Sequence, residues 1–317
     1  METRSFHELF LRHPHNPLLT VNDWPYPCNS VFNPAAAKVN DEYLLMVRVE
    51  DQRGMSHLTV ARSADGISDW HIDPAPTMMP SPSTHPEEIW GIEDPRITRM
   101  EDMDLWAICY TAFSRGGPLV SMATTRSFKT FDRLGPVMPP DDKDAALFPV
   151  RFDGRWAMLH RPVGSGGVGA HIWMSFSPDL RHWGDHRIVI RAREGGWWDA
   201  NKIGLSSPPL LTPEGWLILY HGVRHTASGA IYRLGLALLD KNKPTRLLRR
   251  GREWIFGPKE SYEREGDVGD VVFPCGWILE DDRLKIYYGG ADSCIALATA
   301  DLGDLLDYVL KSPETDY

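Results

Sequence analysis

Several short stretches of the 317-residue chain gather side chains suited to acid catalysis and anion binding. In Trp90-Gly91-Ile92-Glu93-Asp94-Pro95-Arg96, a carboxylate precedes a proline. The ring fixes its own φ and disfavours helical backbone in the residue before it, so an extended, rigid Asp94 is expected. Such a carboxylate suits a general acid; the plain alternative is a turn closed by an Asp94–Arg96 ion pair. Arg48, Glu50, Asp51, His160, Arg161, Tyr220, His221 and Asp292 interrupt apolar strands, where an unpaired charge is costly. Lys143 and Lys202 stand before apolar or proline-rich segments. Cations from several places in an acidic chain point to a local anion site. Any one of them alone is also explained by a structural ion pair.

The wider composition sets limits on partners. With 34 Lys and Arg against 43 Asp and Glu, the net charge is −9, which disfavours nucleic acid and anionic membrane as partners. A neutral substrate fits better. Cys28, Cys109, Cys275 and Cys294 show no paired spacing, so they read as reduced thiols and neither a metal site nor a disulfide scaffold is expected. The first residues lack the apolar core of a secretion signal and no run is long enough to span a membrane. The expectation is a cytoplasmic protein.

These residues must be positioned by strands. Twelve Trp, ten Tyr, 27 Gly and 25 Pro are spread along the chain, a composition for many short strands and tight turns. One phrase recurs: an aromatic-led or apolar strand, a gap, then an alternating strand ending in small or hydroxyl residues. It occurs at 44–49 with 57–63, 106–110 with 119–127, 156–160 with 171–177, 216–220 with 232–237, and 284–288 with 294–300. Five copies near the length of a four-stranded blade predict an all-β chain, a five-bladed β-propeller occupying residues 1–317 as one domain. A simple β-sandwich is the alternative. The terminal segments 1–17 and 302–310 read as partly helical and close or cap the ring. In a propeller the inner part of each blade meets at a central channel, so these polar interruptions are expected to converge there.

The ordered phrases Asn29-Ser30-Val31-Phe32-Asn33-Pro34-Ala35, Arg48-Val49-Glu50-Asp51, Glu93-Asp94-Pro95-Arg96, Lys143-Asp144, Leu147-Phe148-Pro149, His160-Arg161-Pro162, Lys202-Ile203-Gly204, Tyr220-His221-Gly222-Val223 and Tyr288-Gly289-Gly290-Ala291-Asp292 span nearly the whole chain. Together they resemble glycoside hydrolase family 130, the β-mannoside phosphorylases and related β-mannosidases. The resemblance implies a five-bladed propeller with no metal or organic cofactor. Asp94 would be the general acid, acting directly or through a sugar hydroxyl, and inorganic phosphate the co-substrate that attacks the anomeric carbon with inversion. It further implies Arg48, Lys143, Arg161 and His221 as phosphate ligands, and Asn29, Ser30, Asp51, Lys202, Tyr220 and Asp292 as substrate ligands. A homo-oligomer is compatible, because neighbouring subunits sometimes complete acceptor subsites in such enzymes.

The chemistry separates phosphorolysis from hydrolysis. An inverting hydrolase needs a second carboxylate to deprotonate water, whereas phosphate arrives ionised and needs cations instead. With the basic positions filled, the sequence reads as a phosphorylase, with an inverting β-mannosidase of the same fold as the alternative. Trp90, Trp197, Trp198 and Tyr232 are candidates for stacking on sugar. Rim segments 78–88, 163–169, 191–198 and 224–229 are the places to set linkage, β-1,2 or β-1,4, and acceptor. Two rival classes are a glycosidase of another five-bladed family, with Glu50 or Asp51 as base, and a sugar-binding propeller without catalysis.

Overall fold

Tight turns between aspartate- and asparagine-rich residues set the register of the blades. Asn40-Asp41, Asp153-Gly154 and Asp281-Asp282 are two-residue loops in which both residues have positive φ, between +48° and +75°. That backbone twists with the strands it joins. Each loop connects the first and second strands of a blade, so it fixes which residues meet at the opposite end.

The computed structural model describes residues 8–163, 169–227 and 229–314. Five antiparallel sheets follow one another along the chain, four of four strands and one with an added short strand. Their first strands are Ser30–Val39, Ile92–Met100, Asp142–Phe152, Lys202–Leu205 and Val272–Glu280. Their second strands are Glu42–Glu50, Leu105–Ser114, Arg155–Pro162, Gly215–Thr226 and Arg283–Gly290. The five repeated phrases are the second and third strands of the five blades, as the propeller reading requires.

Successive side chains of a strand point to opposite faces, and here both faces are apolar because each blade packs on two neighbours. Between the third and fourth blades, Phe148 meets Trp216 edge-on with centroids 5.0 Å apart. Trp156 on the other face belongs to the layer shared with the second blade. Aromatic-led strands are thus blade core, where each ring buries a large apolar area.

The ring closes by strand pairing. Leu11–Arg12 lies antiparallel against Cys294–Asp301, with Leu11 opposite Thr299, and supplies the outer strand of the fifth blade. This corrects the helical expectation for 1–17: residues 8–17 contain a strand and no helix, and residues 1–7 lie outside the described residues. The other end is helical, as expected. Leu302–Leu310 buries Leu302, Leu305 and Val309 on one face, a helical spacing, against the layer between the fourth and fifth blades. Among the described residues no helix is long and apolar enough to cross a membrane. All four cysteines are free thiols, three of them buried.

Candidate active site

One register recurs in every blade at the end away from the tight turns. Phe32 pairs with Arg48, Glu93 with Thr111, Lys143 with Arg161, Gly204 with His221, and Phe273 with Gly289. In the first three blades the pairing then slips, and the residue in the slip has positive φ: Asn33 at +46°, Asp94 at +49° and Asp144 at +56°. Asn and Asp tolerate that conformation best among side-chain-bearing residues. A bulge bends the strand and redirects a side chain, and here it delivers three short polar groups to one place.

Asp94 is therefore not extended. It is a left-handed bulge residue within the first strand of the second blade. The proline that follows excludes right-handed helical backbone, and the slip opposite Thr111 and Cys109 leaves the left-handed well.

The bulges and the second-strand partners enclose a cavity of about 500 Å³. Of the expected site residues, Arg48, Asp94, Lys143, Arg161, Lys202, His221 and Asp292 line it. Arg48, Arg161 and His221 come from second strands, and Lys143 and Lys202 from first strands. Asn33, Asp144, Asn201, His225 and Phe273 also line it, without having been singled out. The signal was present in the parallel Asn33-Pro34, Asp94-Pro95 and Asp144-Ala145 steps, one in each of the first three blades.

Four expected ligands lie elsewhere. Tyr220 is fully buried behind the cavity, donating to Asp199 at 3.0 Å and stacked on Trp198. Its neighbour His221 takes the cavity face, and strand alternation sends adjacent residues to opposite sides. His160 is excluded from the cavity by the same alternation, because Arg161 faces inward. Asp51 is held by its own turn, accepting from the Arg53 and Met55 amides and pairing with the Arg53 side chain. Asn29 is exposed and donates to Asp267 at 3.0 Å, and Ser30 is buried outside the lining. Of the four aromatic candidates only Tyr232 lines the cavity, with Lys202 Nζ 5.3 Å from its ring centre. Trp90 packs edge-on against Phe113, and Arg193 covers Trp197. Rim residues 164–168 and 228 lie outside the described residues.

Electrostatics divide the cavity into two sides. On the first, Asp94 Oδ1 accepts from Asn33 Nδ2 at 2.9 Å and Arg48 Nη1 at 3.1 Å. Arg48 also meets Glu93 at 3.1 Å and Glu50 at 3.8 Å, so its charge is balanced by three carboxylates. Burial opposes the Asp94 charge, but Arg48, Lys143, Asn33 and Arg96 outweigh it and hold the carboxyl below its ordinary value. Asp292 has the opposite fate. Burial, reinforced by Asp94 and Glu93 against the pull of Arg48 and Lys143, pushes its carboxyl up to about 7.

On the second side, Asp144 Oδ2 accepts from Arg161 Nε at 2.7 Å, with Arg96 at 3.5 Å on Oδ1 and His221 Nε2 at 3.5 Å. Burial is outweighed by Arg161, His221 and Arg96, so Asp144 stays ionised. Burial also pushes His221 down to about 4, more than Asp144 offsets, and the ring is neutral. Lys143 and Lys202 have no carboxylate within ion-pair distance among the described residues. This wall presents two unneutralised ammonium groups beside a guanidinium held in place from behind.

The family model described as β-1,4-mannooligosaccharide phosphorylase, glycoside hydrolase 130, matches residues 11–311. A β-1,4-mannooligosaccharide phosphorylase of Ruminococcus albus is 33% identical over 311 residues, covering 95% of this chain and 91% of the relative. A 1,2-β-oligomannan phosphorylase of a Thermoanaerobacter species is 34% identical, covering 90% and 93%. The solved β-1,2-mannobiose phosphorylase of Listeria innocua, in complex with β-1,2-mannobiose, superimposes with a TM-score of 0.87 at 30% identity, over 95% of this chain and 99% of that one.

Proposed function

Because the chain belongs to glycoside hydrolase family 130, we propose that it cleaves β-mannosides with inorganic phosphate, with inversion, giving α-mannose 1-phosphate and a shortened acceptor. The observation that carries this reading is the cationic wall of the cavity. A nucleophile that enters ionised is bound by cations, and a carboxylate base there would repel it.

In this reading Lys143, Arg161, Lys202 and neutral His221 hold the phosphate, with Asp144 fixing Arg161. Arg48 serves Asp94 instead, since three carboxylates already surround it. Asp292 and Tyr232 face the mannosyl unit, which lies between phosphate and Asp94. A phosphate oxygen forms a bond to the anomeric carbon as the glycosidic C–O bond breaks on the opposite face. Asp94 gives its proton to the departing oxygen, directly or through a sugar hydroxyl. The phosphomonoester forms as its monoanion and its proton restores Asp94, so charge and atoms balance.

Asp94 is ionised in the free cavity and must first gain that proton. A phosphate dianion set against Lys143 and Arg161 cancels part of the field that keeps Asp94 charged. Phosphate thereby loads the acid as well as attacking. Four free thiols support a reducing, cytoplasmic setting.

The test incubates the protein with β-1,2- and β-1,4-mannobiose, each with and without phosphate. Mannose 1-phosphate formed only with phosphate is expected, and the substrate consumed names the linkage. Free mannose released at the same rate without phosphate would overturn the reading in favour of hydrolysis.

A further inference from the structure

Behind the cationic wall, one residue from each of the four strands of the third blade joins a continuous hydrogen-bond line. Asp142 Oδ2 is 2.6 Å from His160 Nδ1, His160 Nε2 is 2.7 Å from Ser175 Oγ, and Ser175 Oγ is 2.6 Å from His186 Nδ1. One consistent arrangement satisfies all three. His186 Nδ1–H donates to Ser175, the Ser175 hydroxyl to His160 Nε2, and His160 Nδ1–H to the Asp142 carboxylate. Asp142, His160 and Ser175 are buried, and His186 is exposed on the outer strand Gly184–Ile190.

The inner end of this line sits against the anion site. Asp142 immediately precedes Lys143 and His160 immediately precedes Arg161, and Lys143 and Arg161 are register partners. Alternation places Lys143 and Arg161 on one face and Asp142 and His160 on the other. The register slips directly after Lys143 and resumes at Ala146 opposite Leu159, so the ladder is interrupted on one side of the point where the cations project. Asp142 Oδ1 has no hydrogen-bond partner among the described residues, so on this face of the sheet His160 is the side chain that ties the inner strand to the second, while on the cavity face Arg161 bonds Asp144. The proposed reaction uses none of these four residues.

We propose that Asp142 and His160 are positioning residues for phosphate binding, clamping the two strands at the bulge so that Lys143 and Arg161 converge on one anion, with Ser175 and His186 fixing the tautomer and tilt of the imidazole. The inference rests on the reading that these cations hold phosphate. A buried polar cluster that merely stabilised the blade would have no preference between substrates. A clamp behind Lys143 and Arg161 affects phosphate and leaves the mannoside site, built from other blades, unaffected.

The test compares His160→Asn, whose amide can replace Nδ1–H toward Asp142, with His160→Gln, whose amide reaches toward Ser175 instead. Phosphate KM, mannoside KM, kcat and Tm are measured for each. His160→Gln should raise the phosphate KM about tenfold or more, the loss of one charge-assisted hydrogen bond, with the mannoside KM within about twofold. His160→Asn should stay near the parent value for phosphate although its Tm falls similarly. Asp142→Asn keeps shape and an acceptor, tolerates the fold, and should raise the phosphate KM by about threefold. A phosphate KM that is unmoved in His160→Gln and Asp142→Asn, or that follows Tm in all variants, overturns the inference. Turnover of the unmodified protein without phosphate would instead overturn the phosphorylase reading on which it rests.

Discussion

Arg161 Nε lies 2.7 Å from Asp144 Oδ2 in the cavity wall, while Lys143, the register partner of Arg161 and one residue before Asp144, makes no ion pair among the described residues. The two cations line the same cavity with different structural obligations.

Substituting them should therefore have separable effects. Lys143→Ala should raise the phosphate KM about tenfold or more with the smaller fall in Tm, because Lys143 makes no ion pair and only helps hold the buried Asp94 charge. Arg161→Ala should do the same and also destabilise the fold by about 3 kcal/mol, since Asp144 remains buried with a weaker pairing. Phosphate titrations of initial rate and urea unfolding of both variants check this. Equal stability loss in the two would contradict the assignment.

Loading of Asp94 by phosphate makes a calorimetric prediction. At pH 8, where phosphate is already the dianion, its binding should draw a proton from buffer, seen as an enthalpy that changes with buffer ionisation heat. Asp94→Asn should take up fewer protons on binding phosphate, leaving only the share of Asp292, whose carboxyl sits near 7 in the same cavity, and lose about 10²-fold or more in kcat, the usual scale for a general acid. Identical uptake in both proteins would remove Asp94 from the acid role.

Gly204 stands where no side chain fits. A Cβ there would lie 2.3 Å from Asp144 Oδ2 and 2.6 Å from the His221 ring. Gly204→Ala should push both groups off the anion wall and reduce phosphate use by about tenfold or more, with a loss of stability of about 1–3 kcal/mol from overpacking. Unchanged phosphate kinetics would mean that Asp144 and His221 do not shape that wall.

Asp292 gives the molecule a pH-dependent cost. Its carboxyl is pushed by burial from the ordinary 3.8 to about 7. Between those values the folded chain keeps a proton that the unfolded chain has lost, so this group's contribution to stability falls as pH rises from about 4 to 7. Asp292→Asn should remove that fall and gain on the order of 2 kcal/mol relative to the parent at pH 8 compared with pH 4, after discounting for partial exposure. Unfolding midpoints at the two pH values test it, and an unchanged difference between variant and parent would refute the assignment.

The five-blade pattern was legible because each blade repeats one strand pair whose alternation and aromatic content follow from burial on two faces. Arg161, His221 and Asp292 were legible because charged residues inside apolar strands need a partner or a use, Asp94 because a proline follows it, and Lys143 because it stands before an apolar segment. Local chemistry also specified the hairpins, since Asn-Asp, Asp-Gly and Asp-Asp favour the positive φ that a two-residue loop requires.

Tertiary structure decided which of two adjacent polar residues faces the cavity. Alternation dictates that His160 and Arg161, or Tyr220 and His221, point in opposite directions. Which one points inward depends on the register set by the far turn and on the neighbouring blade, neither of which is local. The left-handed bulges at Asn33, Asp94 and Asp144 were hidden for a similar reason. A slip is defined by the partner strand, so no property of Asp94 and Pro95 alone separates an extended residue from a bulged one. Strand closure by Leu11–Arg12 likewise depends on an edge about 280 residues away in the chain. Composition and period determine what the blades are made of, and long-range pairing determines where their side chains meet.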